Sequence, residues 1–409
     1  MGFQYGLSGM NAASKNLDVI GHNIANANTT GFKGSRTEFS ELFGSAVGAS
    51  SANTTGQGVG VSGVSRQFAQ GNVSITGNNL DVAINGAGFL QLGMPDGSNA
   101  YTRAGSLQIN KEGELVNQQG AHVLGFPTDP KTGAVLNQSV KPIIVPIDKG
   151  IVGQKTTEVA VKLNLDAGAA TYNSVSDQPP YTTYSSTLNI YNSQGKAIPV
   201  DLYFTKNSAS NSWDVSRKVD GGTRENILTL KFKNDGSFDA QTVATGITAK
   251  QEITALEGDG AIKFTVAVDL SGTTQFASRF SVSQNSQDGF ATGDINGVSI
   301  EPDGTVRARY SNGLNLSQGK LVLVKFNNAQ GLAATTGGNL IETVASGGRV
   351  AGEPNSGNFG ALQSGALEDS NIDLTAELVN MMTAQRSYQA NAQTLKTQDQ
   401  VMSTLVNLR

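Results

Sequence analysis

Leu17-Asp-Val-Ile-Gly-His-Asn-Ile-Ala-Asn-Ala-Asn-Thr-Thr-Gly-Phe-Lys33 carries the end of a helix and its stop signal in one run. Upstream and through it, Leu7, Met10, Ser14, Leu17, Gly21 and Ile24 recur at steps of three and four, which predicts an amphipathic helix over roughly residues 3–27. Asn26, Asn28 and Gly31 then end it, because Asn and Gly tolerate left-handed φ, while Thr29 and Thr30 offer local side-chain capping. The stripe is diluted by small residues and interrupted by few charges.

The other end of the chain repeats the pattern at greater length. Leu374, Leu378, Met381, Gln385, Tyr388, Ala392, Leu395, Asp399, Met402 and Val406 step by three and four. Ser370 or Asp373 can cap this helix, and Asp369, Asp373 and Glu377 favour its N-terminal dipole. A helix of about 35 residues spans about 50 Å, more than a compact domain of this size would cover. Gln385 and Asp399 at seam positions leave the stripe too mixed for a strong homodimeric coiled coil. Two readings stand: an antiparallel helix pair against a globular body, or helices awaiting many copies of themselves. Length favours the second.

Composition excludes several classes. The 409 residues include 49 Gly, no Cys and two His, with 29 Lys+Arg against 33 Asp+Glu and a net charge of −4. No basic run offers an electrostatic footprint for nucleic acid. Without Cys, and with His22 and His122 far apart, zinc ribbons, thiolate catalysis, haem attachment and disulfide frameworks fall away, and no cofactor is expected. No stretch approaches the ~18 apolar residues of a membrane span, and the start lacks a secretory pattern. Charged residues are 15%, so Ser, Thr, Asn, Gln and Gly cover most of the surface.

Between the ends the pattern is β. Asp-Gly and Asn-Gly pairs at 85–86, 96–97, 220–221, 235–236, 259–260, 296–297, 303–304 and 312–313 alternate with short apolar runs such as Leu80–Ile84, Val200–Phe204 and Lys320–Phe326. From Leu42 to Ser65 there is no charged residue, and Ser, Ala, Gly, Thr, Asn and Val dominate, which reads as a flexible or extended linker, mirrored by Thr335–Gly365. The expected organisation is α+β and multidomain. N- and C-terminal helices (1–30 plus 367–409) pair as a coiled-coil-like inner domain, joined by connecting regions (31–70 plus 350–366). Nested mainly antiparallel β domains follow, one built from 71–146 plus 287–349 and one inserted at 147–286.

Candidate chemistry is sparse. Gly58-Val-Gly60-Val-Ser-Gly63 matches G-x-G-x-x-G in letters only, since no long helix follows it. Asp294-Ile-Asn296-Gly297 and Glu301-Pro-Asp303-Gly304 lack a complete calcium ladder and read as hairpin turns. His22 reads as a packing or hydrogen-bonding residue, and Trp213, Tyr181 and Tyr184 as core or loop anchors rather than a sugar platform. No catalytic constellation is recognisable.

Asn23, Ile24, Ala25, Asn26, Asn28, Thr29, Thr30, Gly31, Phe32 and Lys33 closely resemble the Asn-Ile-Ala-Asn-x-x-Thr-x-Gly-[FY]-Lys run that ends the first helix in the flagellar rod and hook axial protein family. Further blocks are similar to the same family: Leu80–Phe89 with Tyr101–Gly105, Gly297–Ile300 with Tyr310–Gly313, and Glu377–Met382 with Gln385–Tyr388. Together they cover both ends, about two thirds of the chain. The distal rod subunit is shorter and lacks an inserted β domain of about 140 residues, so the resemblance points to the hook-forming branch.

That resemblance implies a non-enzymatic structural subunit, exported without a cleaved signal peptide and polymerising into the curved, torque-transmitting tube outside the cell, attached to the basal body. Implied partners are further copies of the chain, the distal rod protein, the hook cap protein, the hook–filament junction protein, the flagellar type III export apparatus and the hook-length ruler protein. Neither nucleic acid nor stable membrane insertion is expected. Inner-tube packing is expected on Leu7, Met10, Leu17, Ile24, Leu374, Leu378, Met381, Leu395, Met402 and Leu405. A distal-rod-like subunit is the nearest alternative. A secreted β-rich adhesin or carbohydrate-binding protein would explain the glycine, turns and polarity but not the paired terminal helices.

Overall fold

A computed structural model describes residues 2–42, 58–147, 150–172, 183–209, 211–243, 251–254 and 263–407, and among them are two terminal helices, 29 short strands and three single-turn 3-10 helices. They fall into two compact units, one of residues 1–148, 296–309 and 315–409, the other of residues 149–295 and 310–314. Among the described residues no helix is long and apolar enough to cross a membrane.

The second unit is a β-sandwich. One sheet is a five-stranded antiparallel meander, Tyr184–Tyr191, Ala197–Lys206, Ser212–Val219, Glu225–Phe232 and Phe238–Val243. The other is mixed and centres on Glu158–Asp166, which pairs parallel to Lys263–Asp269 and antiparallel to Ser281–Gln287. Strict alternation along Glu158–Asp166 turns Val159, Val161, Leu163 and Leu165 inward against Leu202, Phe204, Val215 and Leu230 of the meander. Trp213 is fully buried at their centre, its indole N–H donating to Gln275 Oε1 at 3.1 Å, and Tyr184 stacks between it and Phe280. Both aromatic residues are therefore core anchors, as the sequence suggests; Tyr181 lies outside the described residues.

The first unit is knitted from both ends of the chain. Strand Ala361–Ser364 pairs antiparallel with Val82–Asn85, and Ala366–Glu368 with Val73–Ile75. Leu323–Phe326 lies between Phe89–Gly93 and Arg349–Gly352 in a larger sheet. Tight turns do what the Asp-Gly and Asn-Gly pairs predict at 96–97, 220–221, 235–236, 303–304 and 312–313, each joining consecutive strands. At 220–221 both residues have positive φ, the pattern that matches the strand twist.

Three expectations need correction or placement. Asn296-Gly297 is not a turn but lies inside strand Ile295–Ile300. The stretch expected as a linker contains β2 (Val59–Arg66), which pairs antiparallel with β1 (Ser35–Glu41) around a bulge at Glu38/Phe39. Small uncharged residues lack a side-chain signal for a strand, and backbone pairing with β1 supplies what the side chains do not. Thr335–Gly365 likewise contains Leu340–Ile341, Arg349–Gly352 and Ala361–Ser364 rather than free chain. Residues 43–57 and the Asp259-Gly260 pair lie outside the described residues.

Candidate assembly surface of the terminal helices

Helix α1 (Gly2–Ala25) and helix α2 (Leu374–Asn407) run antiparallel. Gly6 faces Asn391 and Leu395, and Asn23 Nδ2 reaches Glu377 Oε1 at 3.4 Å. A Cβ on Gly6 would stand 3.2 Å from Leu395 Cγ, and one on Gly9 2.7 Å from the Asn391 side chain, so these glycines set how closely the helices approach. Asp373 caps α2, its Oδ1 accepting from the N–H groups of Thr375 at 2.9 Å and Ala376 at 3.2 Å. Asp369 lies before the helix and accepts from the Ser74 hydroxyl at 3.0 Å.

The covered face of α1 is built on Gly6, Ala12, Ala13, Val19, Ile20 and Asn23. The residues expected to pack between copies in the tube lie beside this row, one position along the helix. Leu7 is exposed, and Met10, Leu17 and Ile24 are half-buried. On α2, Ala384 is the one fully buried residue among those described; Met381 and Leu395 are half-buried, and Leu374, Leu378 and Met402 are exposed. The side chain of Leu405 lies outside the described residues. Leu378 is 46% exposed, and Val379 and Met382 are 52% exposed, leaving an apolar strip along the outer face of α2. With Gly6 opposite Leu395, the last turns of α2 run beyond the start of α1.

Beside this pair lies a groove of about 1370 Å³ bounded by α1, α2 and the β1–β2 hairpin. It exceeds the roughly 300–1,000 Å³ of small-ligand sites. Asn16, Asn23, Asn380, Ser387 and Asn391 line it. Two buried oxygens of its lining residues, Thr37 Oγ1 and Glu377 Oε2, have no hydrogen-bond partner. Buried polar atoms are ordinarily paired, so these two oxygens carry an unmet hydrogen-bonding cost among the described residues.

A polar clasp holds the helix ends in place, and the Asn23–Lys33 run supplies half of it. Asn23 exchanges hydrogen bonds with Ser35, donating to its carbonyl at 2.8 Å and accepting from its N–H at 2.9 Å, which fixes the chain's exit from α1. Asn26 donates to His22 O at 2.9 Å and Thr29 to Asn26 Oδ1 at 3.3 Å, closing the turn, while the His22 and Phe32 rings lie 5.5 Å apart. Gly31 has φ +70° and donates its N–H to Glu368 O at 2.7 Å. Lys33 donates to Ala69 O at 2.7 Å and pairs with Glu368 Oε1. Arg103 Nη1 holds the other carboxylate oxygen at 3.0 Å, and Gly71 N–H adds a third donor. Burial pushes the Lys33 ammonium down from its usual pKa, Glu368 pulls it back up and Arg103 pushes it down again. Ala25, Asn28 and Thr30 are exposed or half-buried and serve as spacers. Sequence reasoning missed Glu368 and Asn371, whose side chain bridges Gly34, Gln67 and Ala69, and gave Arg103 no role beyond its place in the Tyr101–Gly105 block. Glu368 ends a three-residue strand and Asn371 sits in the bend before α2, both too short to show a periodic pattern.

Both chain ends thus meet in one clasped helix pair, whose outer face and flanking groove no other described residue covers. That is the arrangement of a self-assembling structural protein. Four family descriptions match in series: flagella basal body rod protein at residues 3–33, flagellar hook protein FlgE/F/G D1 domain at 83–164, flagellar basal body protein FlaE D2 domain at 164–290, and flagellar basal body rod FlgEFG protein C-terminal at 363–408. The flagellar hook protein FlgE of Salmonella typhimurium is 38% identical over 419 residues, covering 100% of both chains. That of Escherichia coli is 37% identical over 417 residues, again covering 100% of each. The crystal structure of Helicobacter pylori flagellar hook protein FlgE2 shares the fold with a TM-score of 0.52 and 15% identity, covering 72% of this chain and 100% of that one. The chain belongs to the flagellar hook protein family.

Proposed function

We propose that this chain is a non-catalytic structural subunit that polymerises into the flagellar hook, a curved flexible tube acting as a universal joint between rod and filament. The observation that carries the assembly route is α2: a 34-residue helix with one fully buried residue among those described and an apolar strip facing outward. Isolated helices are marginal without packing partners. Covering Leu378, Val379 and Met382 with a neighbouring copy recovers about half of the roughly 1.5–3 kcal/mol that full burial of such a side chain contributes.

In this reading residues 1–30 with 367–409 form the inner tube, through Leu7, Met10, Leu17, Ile24, Leu374, Leu378, Met381, Leu395, Met402 and Leu405. Residues 31–70 with 350–366 connect it to the β domains, 71–146 with 287–349 and 147–286. A tube that bends while rotating must let its outer interfaces slide. A surface with 15% charged residues offers weak, replaceable, water-mediated contacts suited to that. Export without a cleaved signal through the type III apparatus, and contacts with the distal rod, cap, junction and ruler proteins, belong to the same proposal.

Electron microscopy of the full chain beside a variant lacking residues 1–30 and 370–409 tests it. Tubes from the full chain and monomers from the truncation are expected. Tubes from both would place assembly elsewhere.

A further inference from the structure

A second concavity, of about 410 Å³, lies in the first unit where the end of α1 meets the end of β2. Its size falls within the roughly 300–1,000 Å³ of small-ligand sites. His22, Lys33, Arg66 and Arg103 line it, with Gln119, Thr335 and Asn339 as neutral polar neighbours, and no Asp or Glu is among the lining residues.

Donors outnumber acceptors here. Lys33 spends two of its three N–H groups on Ala69 O and Glu368. Arg103 spends Nη1 on Glu368 and Nη2 on Gly86 O, while its Nε is buried with no partner, on a side chain 7% exposed. The Arg66 guanidinium has no hydrogen-bond or ion-pair partner among the described residues, yet burial presses its pKa down. Gln330 fixes its backbone from both sides, accepting from Arg66 N–H at 3.1 Å and donating to Arg66 O at 2.6 Å, which holds that stretch of chain at the wall. Lys33 and Arg103 thus share one carboxylate, Glu368, and Arg66 has none. Arginine does not shed its proton in proteins, so deprotonation does not relieve Arg66 or Arg103.

We propose that this concavity is an oxyanion site for a carboxylate or phosphate group, with Arg66 as its donor. Two oxygens of either group match the fork of an arginine. The group comes either from solution or from an Asp or Glu side chain of a second copy; the latter rests on the assembly reading.

The full-length protein is titrated with phosphate and with chloride at matched ionic strength, following thermal unfolding and the amide signals of Gly337 and Gly338 in the wall. For a solution anion, phosphate alone gives a saturating Tm rise of about 2–4 °C. It also moves both amides, and Arg66→Gln loses the Tm rise while Arg279→Gln, exposed in the second unit, keeps it. The amide readout on wild-type protein stands even if Arg66→Gln folds poorly. For a carboxylate from a second copy, phosphate has no specific effect on the monomer, and Arg66→Gln raises the critical concentration for assembly about tenfold relative to Arg279→Gln. Phosphate indistinguishable from chloride, together with normal assembly of Arg66→Gln, overturns the proposal. Tube formation by the wild type in chloride tests the hook reading separately.

Discussion

Lys33 and Glu368, 335 positions apart in the chain, form an ion pair in which Glu368 is fully buried. Through it the residue that follows α1's stop signal grips the segment leading into α2. Arg103, from the β body, holds the same carboxylate. One side chain therefore ties together the start, the middle and the end of the first unit.

Glu368→Ala leaves Lys33 and Arg103 buried around an empty position. Removing one partner of a buried pair costs about 3–5 kcal/mol. Urea unfolding followed by circular dichroism is expected to show that loss. A change under 1 kcal/mol would mean that water replaces the carboxylate.

Gly31→Ala meets two penalties. The left-handed φ of +70° disfavours any side chain, and the new Cβ would lie 2.5 Å from Ala104 N, a backbone atom that cannot swing aside. Gly97, at φ +83° with open space around it, isolates the first penalty, about 1–2 kcal/mol. Gly31→Ala is expected to lower stability well beyond Gly97→Ala in parallel denaturation curves.

Leu378→Ser with Met382→Ser alters exposed positions, so monomer stability stays within about 0.5 kcal/mol of wild type. Assembly is the property expected to fail, with sedimentation showing a large rise in critical concentration. Unchanged assembly would remove the outer strip of α2 from the interface.

Asp288 gives the second unit a defined acid response. Burial pushes its carboxyl up, but the N–H groups of Glu158 at 3.0 Å and Thr157 at 2.8 Å and the Thr157 hydroxyl outweigh it and hold the carboxyl below the ordinary range. A depressed folded-state pKa means the contribution is complete above the unfolded value of about 3.9 and disappears as pH falls through the lowered one. Asp288→Asn is expected to reduce stability at pH 7 and to flatten its dependence below about pH 4. An unchanged acid slope would assign the response to other carboxylates.

Local pattern determined much of this protein. Three-and-four stepping announces both terminal helices, and Asp-Gly and Asn-Gly pairs mark five of the strand junctions, because helix period and turn conformation are written in neighbouring residues. The Asn23–Lys33 run likewise marks the end of α1. Only the tertiary structure decided which face of α1 is covered. Leu7, Met10, Leu17 and Ile24 lie one position away from the row that meets α2, since Gly6 and Gly9 permit a close approach that bulkier residues would prevent. It also decided that Val59–Arg66 is a strand, because β1 provides the backbone partners its small side chains do not advertise. Above all it decided the clasp: Lys33 is legible in sequence only as the end of its run, and neither Arg103 nor Glu368 signals a shared role, yet the three are buried together, where a lone charge is costly and a shared one binds three distant segments.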